Sequence, residues 1–272
     1  MFKILSIRTT IFYFLLPVVS MATKPETQDL RVFSDVDDTI KISYVRDFEN
    51  SVALSVYQDA LFYGMNTVYS SVRKNQLQQG NTVAFSYVTN GVDFTVNQTH
   101  RGLLRRFKFP NPSNHFPQNL YEKIKKKAHK FEVITRAIKS EWPDRVVLIG
   151  DNGERDSIIY DQIRKAIEKQ AAIEDRKIEI LIYIHIVYKP SNLKTQGLRR
   201  GQQAFHNAGE LAILMHKDGL MTDDQKDQIV ASVKRKIENE GRNRVWTPLV
   251  YPWYKYYDLG LLGQSSCRQF YK

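Results

Sequence analysis

The chain has 272 residues, and 40 Lys plus Arg against 29 Asp plus Glu give it a net charge of +11. Hydrophobic residues are 42% and charged residues 25%, which are ordinary globular proportions and exclude a disordered, collagenous or multi-span membrane chain. A chain this long can bury a sizeable core without covalent staples, and its single cysteine, Cys267, excludes an intrachain disulfide and an all-cysteine metal site. The basic excess, with a pI near 9.5, suggests an anionic partner: nucleic acid, lipid head groups or a phosphorylated substrate.

Residues 1–22 have the layout of a secretory signal peptide: Lys3 and Arg8, an uncharged apolar run over 11–19, then Ser20-Met21-Ala22 with small residues at the cleavage positions. Export to the periplasm or the medium is the expectation, with an uncleaved membrane anchor as the alternative. Cleavage after Ala22 removes Lys3 and Arg8 and lowers the charge from +11 to +9.

A short apolar run over 30–34 reads as a strand that ends in Asp-Val-Asp-Asp-Thr. Residues 51–73 have a helical pattern, Gly80-Asn81 a turn, and 83–88 the β-branched and aromatic content of a strand. Residues 109–112 read as a loop. Ile124, Ala128, Phe131, Thr135 and Ile138 recur every three or four residues, which predicts a helix over 122–139. A strand over 145–149 ends at Gly150-Asp151, and Ile159, Ile163 and Ile167 mark a helix over 157–170. Residues 178–187 are almost continuously apolar, as a strand covered on both faces must be. Residues 201–219 read as packing. Thr222-Asp223-Asp224-Gln225 is a capping box opening a helix that closes at Gly241. The tail from Trp246 carries two Trp, five Tyr and Phe270.

Strands alternating with helices predict an α/β fold built on an open, mainly parallel sheet. In such sheets ligands bind beyond the carboxyl ends of the strands. Two strands end there in acid: Asp35, Asp37 and Asp38 in one loop, and Asp151, Glu154 and Asp156 in the other. A third ends at Thr89-Asn90-Gly91. Asp35 and Asp37, two residues apart, can converge on one point. With Asp151 they make an oxygen-rich site suited to Mg²⁺. A carboxylate beside such a cation can attack phosphorus, and a second carboxyl can protonate the leaving oxygen and later activate water. The phosphoryl group also needs donors and positive charge. Thr89 and Asn90 supply donors, and the run Lys123, Lys125, Lys126, Lys127 and Lys130 supplies a cation. Taken alone, the first loop is equally a solvated acidic turn.

These residues carry a resemblance. Asp35-x-Asp37-x-Thr39, Thr89 after a strand, a downstream Lys, and Gly150-Asp151 with Asp156 five residues on resemble the four ordered motifs of the haloacid dehalogenase-like phosphatases. The longer strings FSDVDDTIKIS, YVTN, HKFEVITRAIKSEWPDRVVLIGDNGERD and IIYDQI resemble the catalytic domain of the actin-patch-associated phosphatidate phosphatases of fungi and their bacterial relatives, over about residues 31–189. The resemblance implies a Rossmannoid parallel sheet with flanking helices, a helical insert over about 42–80 in a catalytic domain spanning 23–190, and a C-terminal helical and aromatic appendage over 191–272. Asp35 would be the nucleophile and Asp37 the general acid and base. Asp35, Asp37 (through its carbonyl) and Asp151 would hold Mg²⁺, with Asp156 at or beside the metal. Thr89, Asn90 and Lys130 would face the phosphoryl group, with Lys126 or Lys127 as alternatives to Lys130, and Thr39 would brace the first loop. One departure stands out: the family continues its second motif as Ser-Asn-Ser-Pro, and this chain has Thr89-Asn90-Gly91-Val92.

The implied activity is Mg²⁺-dependent hydrolysis of a phosphomonoester through a phospho-aspartyl intermediate, the favoured substrate being phosphatidate or a related lipid phosphate. The alternatives are a phosphatase of a soluble monoester or phosphoprotein, and a non-catalytic membrane-surface module. Between Arg101 and Lys130 lie nine Lys or Arg and one acid, Glu122. With the tail aromatics this reads as a peripheral contact for anionic lipid or as a solvated face. No nucleic-acid motif appears. His185 reads as a core histidine, Asp38 as a loop-bracing acid and Cys267 as an inert thiol. Nothing in the sequence sets the oligomeric state.

Overall fold

The computed structural model describes residues 27–43, 61–118, 129–188 and 197–244. In chain order these form β1 (Asp29–Ser34), α1 (Met65–Gln78), β2 (Thr82–Val92), α2 (Asp93–Arg106), β3 (Pro112–Gln118), α3 (His129–Glu141), β4 (Arg145–Asp151), α4 (Asp156–Ile173), β5 (Glu179–His185), β6 (Gln202–Phe205), α5 (Ala208–Lys217) and α6 (Asp223–Arg244). The strands make one six-stranded sheet in the order β3-β2-β1-β4-β5-β6, every neighbouring pair parallel. This is the open parallel α/β sheet predicted from the alternating pattern, in the Rossmann-like form that the resemblance implied.

The sheet is covered on both faces, so its central strands are apolar throughout. Along β4, Val147 and Ile149 join the core beneath α1, α5 and α6, while Val146 and Leu148 join the core beneath α3 and α4. That division follows from the two-residue period of a strand. Ile134 and Ile138 of α3, four residues apart, fill the second core with Ile163 and Ile167 of α4, and burying each such side chain is worth about 1.5–3 kcal/mol. At the start of α1, Gly64 takes φ +86° and sits so close to α5 that a Cβ would come 2.9 Å from that of Ala208. A left-handed backbone and a close approach coincide there, and glycine satisfies both.

Where predicted elements fall on described residues they match closely, with differences at their ends. The helical pattern predicted over 51–73 is a helix at Met65–Gln78, and 51–60 lie outside the described residues. α3 is described from His129, and 122–128 lie outside. The capping box forms: Gln225 N donates to Thr222 Oγ1 at 3.3 Å and Thr222 N to Gln225 Oε1 at 3.0 Å. The helix it opens continues through Gly241 to Arg244 rather than closing there. Three elements carried no sequence signal of their own. β3 is an edge strand that opens on Pro112, where a missing N–H is tolerated. α2 is rich in polar residues, and β6 is four residues long.

Of the span 42–80 expected as an insert, the described helix α1 crosses over from β1 to β2 and buries Met65, Val68, Tyr69 and Val72 in the main core. Beyond residue 190, β6 extends the sheet, and α5 and α6 contribute Leu211, Met215, Ile229 and Val233 to that core. No helix among the described residues is long and apolar enough to cross a membrane. The expected signal segment and the aromatic tail lie outside the described residues.

Candidate active site

The strand order reverses between β1 and β4, so the loops leaving these neighbours diverge and open a crevice at the carboxyl edge. Ser34 is level with Ile149, and the Asp35 N–H donates to the Ile149 carbonyl at 2.8 Å. The pairing therefore runs one residue past β1 and brings Asp35 beside Asp151. Asp35, Asp151 and Asp156 are all buried, and one carboxylate oxygen from each lies within 4.8 Å of the others. Asp156 opens α4 and reaches back to this point. Gly150 makes room for it: a Cβ there would overlap the Asp156 carboxylate and the Tyr160 ring.

Lys130, in the first turn of α3, is fully buried among these acids. Its Nζ donates to Asp156 Oδ1 at 2.6 Å, lies 2.8 Å from Asp35 Oδ1, and is 3.7 Å from Glu154. Burial pulls its pKa down, but Asp156 and Asp35 outweigh that and hold it well above the ordinary lysine value, so it stays an ammonium. Burial, reinforced by neighbouring carboxylates, pushes Asp35 and Asp151 well above the usual carboxylate range, against the pull of Lys130 on Asp35. When ionised, Asp35, Asp151 and Asp156 carry more negative charge than the one ammonium offsets, and a bound cation would hold them in that form. Asp151 Oδ1 accepts the N–H groups of Gly153 and Glu154, while its buried Oδ2 has no hydrogen-bond partner among the described residues. A hard cation with oxygen ligands fits both observations.

The first loop is braced on every side. Thr39 Oγ1 donates to Asp35 Oδ2 at 3.1 Å. Asp38 holds a left-handed φ of 57°, uncommon for a residue with a Cβ. Its carboxylate accepts the Ser43 N–H at 2.9 Å and the Tyr188 hydroxyl at 2.6 Å, which hold the turn. Asn152 ties the second loop down, its Oδ1 accepting the N–H groups of Val187 and Tyr188 at 3.0 Å each.

The Asp37 carboxylate is not in the acid group. Its Oδ1 accepts from Ser43 Oγ at 2.6 Å and His100 Nε2 at 3.2 Å, with Lys41 Nζ at 3.9 Å. Its Oδ2 accepts the Thr89 hydroxyl at 3.1 Å. Burial pushes Asp37 upward, but His100, Lys41 and Ser43 together outweigh it and hold the carboxyl well below the usual range. Asn90 is half-buried and donates to Glu154 Oε2 at 2.7 Å, bridging the second and fourth motif loops.

The structure thus brings Asp35, Lys130, Asp151 and Asp156 together at one point, with Thr39 against Asp35. Asp37 and Thr89 form an adjoining pair, and Asn90 stands on Glu154. The sequence reading passed over His100, Ser43 and Lys41, because each meets Asp37 only once the loop closes and α2 folds over it. His185 is fully buried between Phe62 and Phe205 and has no place in the acid group. The basic stretch divides. Lys130 belongs to the site, whereas Arg101, Arg105 and Lys108 flank the turn that leads into β3, towards the amino ends of the strands. Lys123, Lys125, Lys126 and Lys127 lie outside the described residues.

Compared with known proteins, the chain matches one family, described as phosphatidate phosphatase APP1, catalytic domain, over residues 30–173. That span runs from β1 to the last residue of α4 and contains the acid group, Lys130 and the residues around Asp37, while Val187 and Tyr188, which brace the loops, lie beyond it. No curated protein and no solved structure matches the chain.

Proposed function

The chain belongs to this phosphatidate phosphatase catalytic-domain family, and from that premise we propose that it is a Mg²⁺-dependent phosphatase acting through a phospho-aspartyl intermediate on Asp35. Its substrate in this reading is phosphatidate or a related lipid phosphate, as the family description names. The observation that carries the reading is the buried Lys130 ammonium held between Asp35 and Asp156, beside an Asp151 oxygen with no hydrogen-bond partner among the described residues.

Thr39 and Lys130 each hold one oxygen of Asp35, so its carboxylate is oriented before substrate arrives. Asp35 attacks phosphorus; the negative phosphoryl group beside Asp37 opposes the groups that keep its carboxyl ionised and raises its proton affinity, and the ester oxygen leaves with the bonding electrons and takes a proton from Asp37. Asp37 then takes a proton from the water that attacks the phospho-aspartate, releasing phosphate and restoring Asp35. Lys130 neutralises charge on the nucleophile and the phosphoryl oxygens, and the hydroxyl of Thr89 donates to those oxygens. Asp35, Asp151 and Asp156 would hold Mg²⁺, with the Asp37 carbonyl as a further ligand, and the ion supplies positive charge to the phosphoryl group. Export by the segment 1–22 and a peripheral contact with anionic lipid belong to the same proposal.

The test is phosphate release by the purified protein from phosphatidate in mixed micelles and from small soluble phosphomonoesters, with and without EDTA. Release from phosphatidate that needs Mg²⁺ and vanishes in Asp35→Asn is the expected result. Mg²⁺-dependent release retained by Asp35→Asn would sink the nucleophile assignment. Faster release from the soluble esters would move the substrate away from lipid.

A further inference from the structure

From residue 61 to 121 the chain carries six Lys or Arg and one acid, Asp93. Five of these cations, Arg73, Lys74, Arg101, Arg105 and Lys108, are exposed, and none of their charged groups has an ion pair among the described residues. They share one surface. Arg73, Lys74 and Lys108 line a cleft between α1 and the turn into β3, and Arg101 and Arg105 line the next cleft, with Phe109 and Asn111 in the wall of both. The turn is held firmly. Asn66 Nδ2 donates to the Phe107 carbonyl at 3.0 Å and the Tyr87 hydroxyl to the Pro110 carbonyl at 3.1 Å, while the Phe109 ring packs edge-on against Tyr69 and Tyr87. The dipole of α2 accounts for Arg105 in its last turn. It does not account for Arg73 and Lys74, which precede the last turn of α1. Leu77, on the rim of the first cleft, is 47% exposed, one of three large apolar side chains so exposed among the described residues.

We propose that this band is the surface that docks the protein on an anionic lipid bilayer, with the five cations against the head groups and Leu77 reaching the acyl boundary. The inference gives the lipid contact its place on the fold, and it rests on the reading of the substrate as a lipid phosphate. Cations around an exposed apolar side chain suit a bilayer, whose surface is charged and whose interior is apolar. Single-stranded nucleic acid needs aromatic faces on which bases stack. The one aromatic ring lining these clefts, Phe109, is buried. The band lies by the turn into β3 rather than in the acid group, so holding the bilayer and cleaving the ester are separate tasks.

The test is co-sedimentation of the purified protein with vesicles of phosphatidylcholine, alone or mixed with phosphatidylglycerol, an anionic lipid that is not a phosphomonoester. Binding is expected only to the anionic vesicles, and it should weaken as NaCl is raised. Each cation in contact is worth about fivefold in affinity at low salt, so Arg73→Gln with Lys74→Gln, or Arg105→Gln with Lys108→Gln, should weaken binding about tenfold or more. Lys169→Gln with Lys177→Gln removes the same charge from exposed positions outside the band and should keep binding. Leu77→Trp should shift its emission to the blue on the anionic vesicles, beyond any shift of the wild type. The two pairs and Leu77→Trp test the band independently, so if one variant fails to fold the others decide. A wild type that ignores the anionic vesicles, or band pairs that lose no more than the Lys169 and Lys177 pair, overturns the proposal. Binding to a single-stranded oligonucleotide in place of the vesicles overturns it in favour of nucleic acid. Vesicle binding needs no turnover. A wild type that binds through the band and hydrolyses no phosphate ester therefore overturns the phosphatase reading and leaves the docking surface standing, whereas one that hydrolyses phosphatidate but binds through other residues overturns this inference alone.

Discussion

Lys130 and Asp156 form a fully buried ion pair, with Nζ 2.6 Å from Oδ1 and no exposed side-chain surface on either partner. A buried pair gains little over an apolar one, but breaking it from one side leaves an uncompensated charge in the core. Lys130→Met is therefore expected to lower stability by about 3–5 kcal/mol and to abolish phosphate release. Urea unfolding followed by circular dichroism measures the first, and the micelle assay the second. A variant as stable as the parent would show that the ammonium is not needed to neutralise this cluster.

Gly150 has ordinary backbone angles, so its role is spatial. A Cβ would overlap the Asp156 carboxylate and Tyr160 and push Asp156 off Lys130. Gly150→Ala is expected to lower stability by about 1–3 kcal/mol, as overpacking does in other cores. Activity should fall further than unfolding alone explains when both are measured at one temperature.

Asp35, Asp151 and Asp156 are mutually repelling buried acids, so a divalent cation that binds the folded chain should stabilise it. At a Mg²⁺ concentration about a hundred times Kd the expected gain is about 2.7 kcal/mol. It should appear as a rise in Tm that EDTA reverses and that Asp151→Asn loses. An unchanged Tm over a wide Mg²⁺ titration would count against a cation site here.

His185 carries a pH signature. Burial pushes its pKa down to about 3, against the pull of the Thr39 and His206 carbonyls, which face its two nitrogens at 3.0 and 3.3 Å and only one of which the neutral ring can donate to. The unfolded chain binds this proton near pH 6.5 and the folded chain does not until near pH 3. Stability from the neutral ring is therefore complete above pH 6.5 and drains away as pH falls towards 3. Other buried groups also respond to pH, so the informative quantity is the difference between wild type and His185→Gln. That difference should shift against the wild type by a few kcal/mol, roughly, between pH 7 and pH 4 in denaturant titrations. A constant difference would mean that the ring is protonated in the folded state.

Much of the fold was legible because long, strongly patterned segments encode their own structure. The apolar strand within 178–187, the isoleucine stripe of α4 and the Thr222 capping box needed no partner to be recognised. β3, with two prolines and little apolar content, and the four-residue β6 owe their place to the strands they pair with. In the site, the acids after β1 and β4 stood out in order along the chain. Which of them face one another did not, since that depends on β1 and β4 being neighbours in the sheet.

Local sequence carries the α/β class and the family match and marks Asp35, Asp37, Thr89, Asp151 and Asp156 as candidates, because hydrophobic period and short motifs are local properties. Packing across the sheet decided that Lys130 meets Asp35 and Asp156, that Asp37 turns from the acid cluster to His100 and Ser43, and that Arg101, Arg105 and Lys108 lie by the turn into β3 rather than in the acid group. The physical reason is the same in each case. Burial and charge pairing act between groups that are distant in sequence, and strand order sets which of those groups meet.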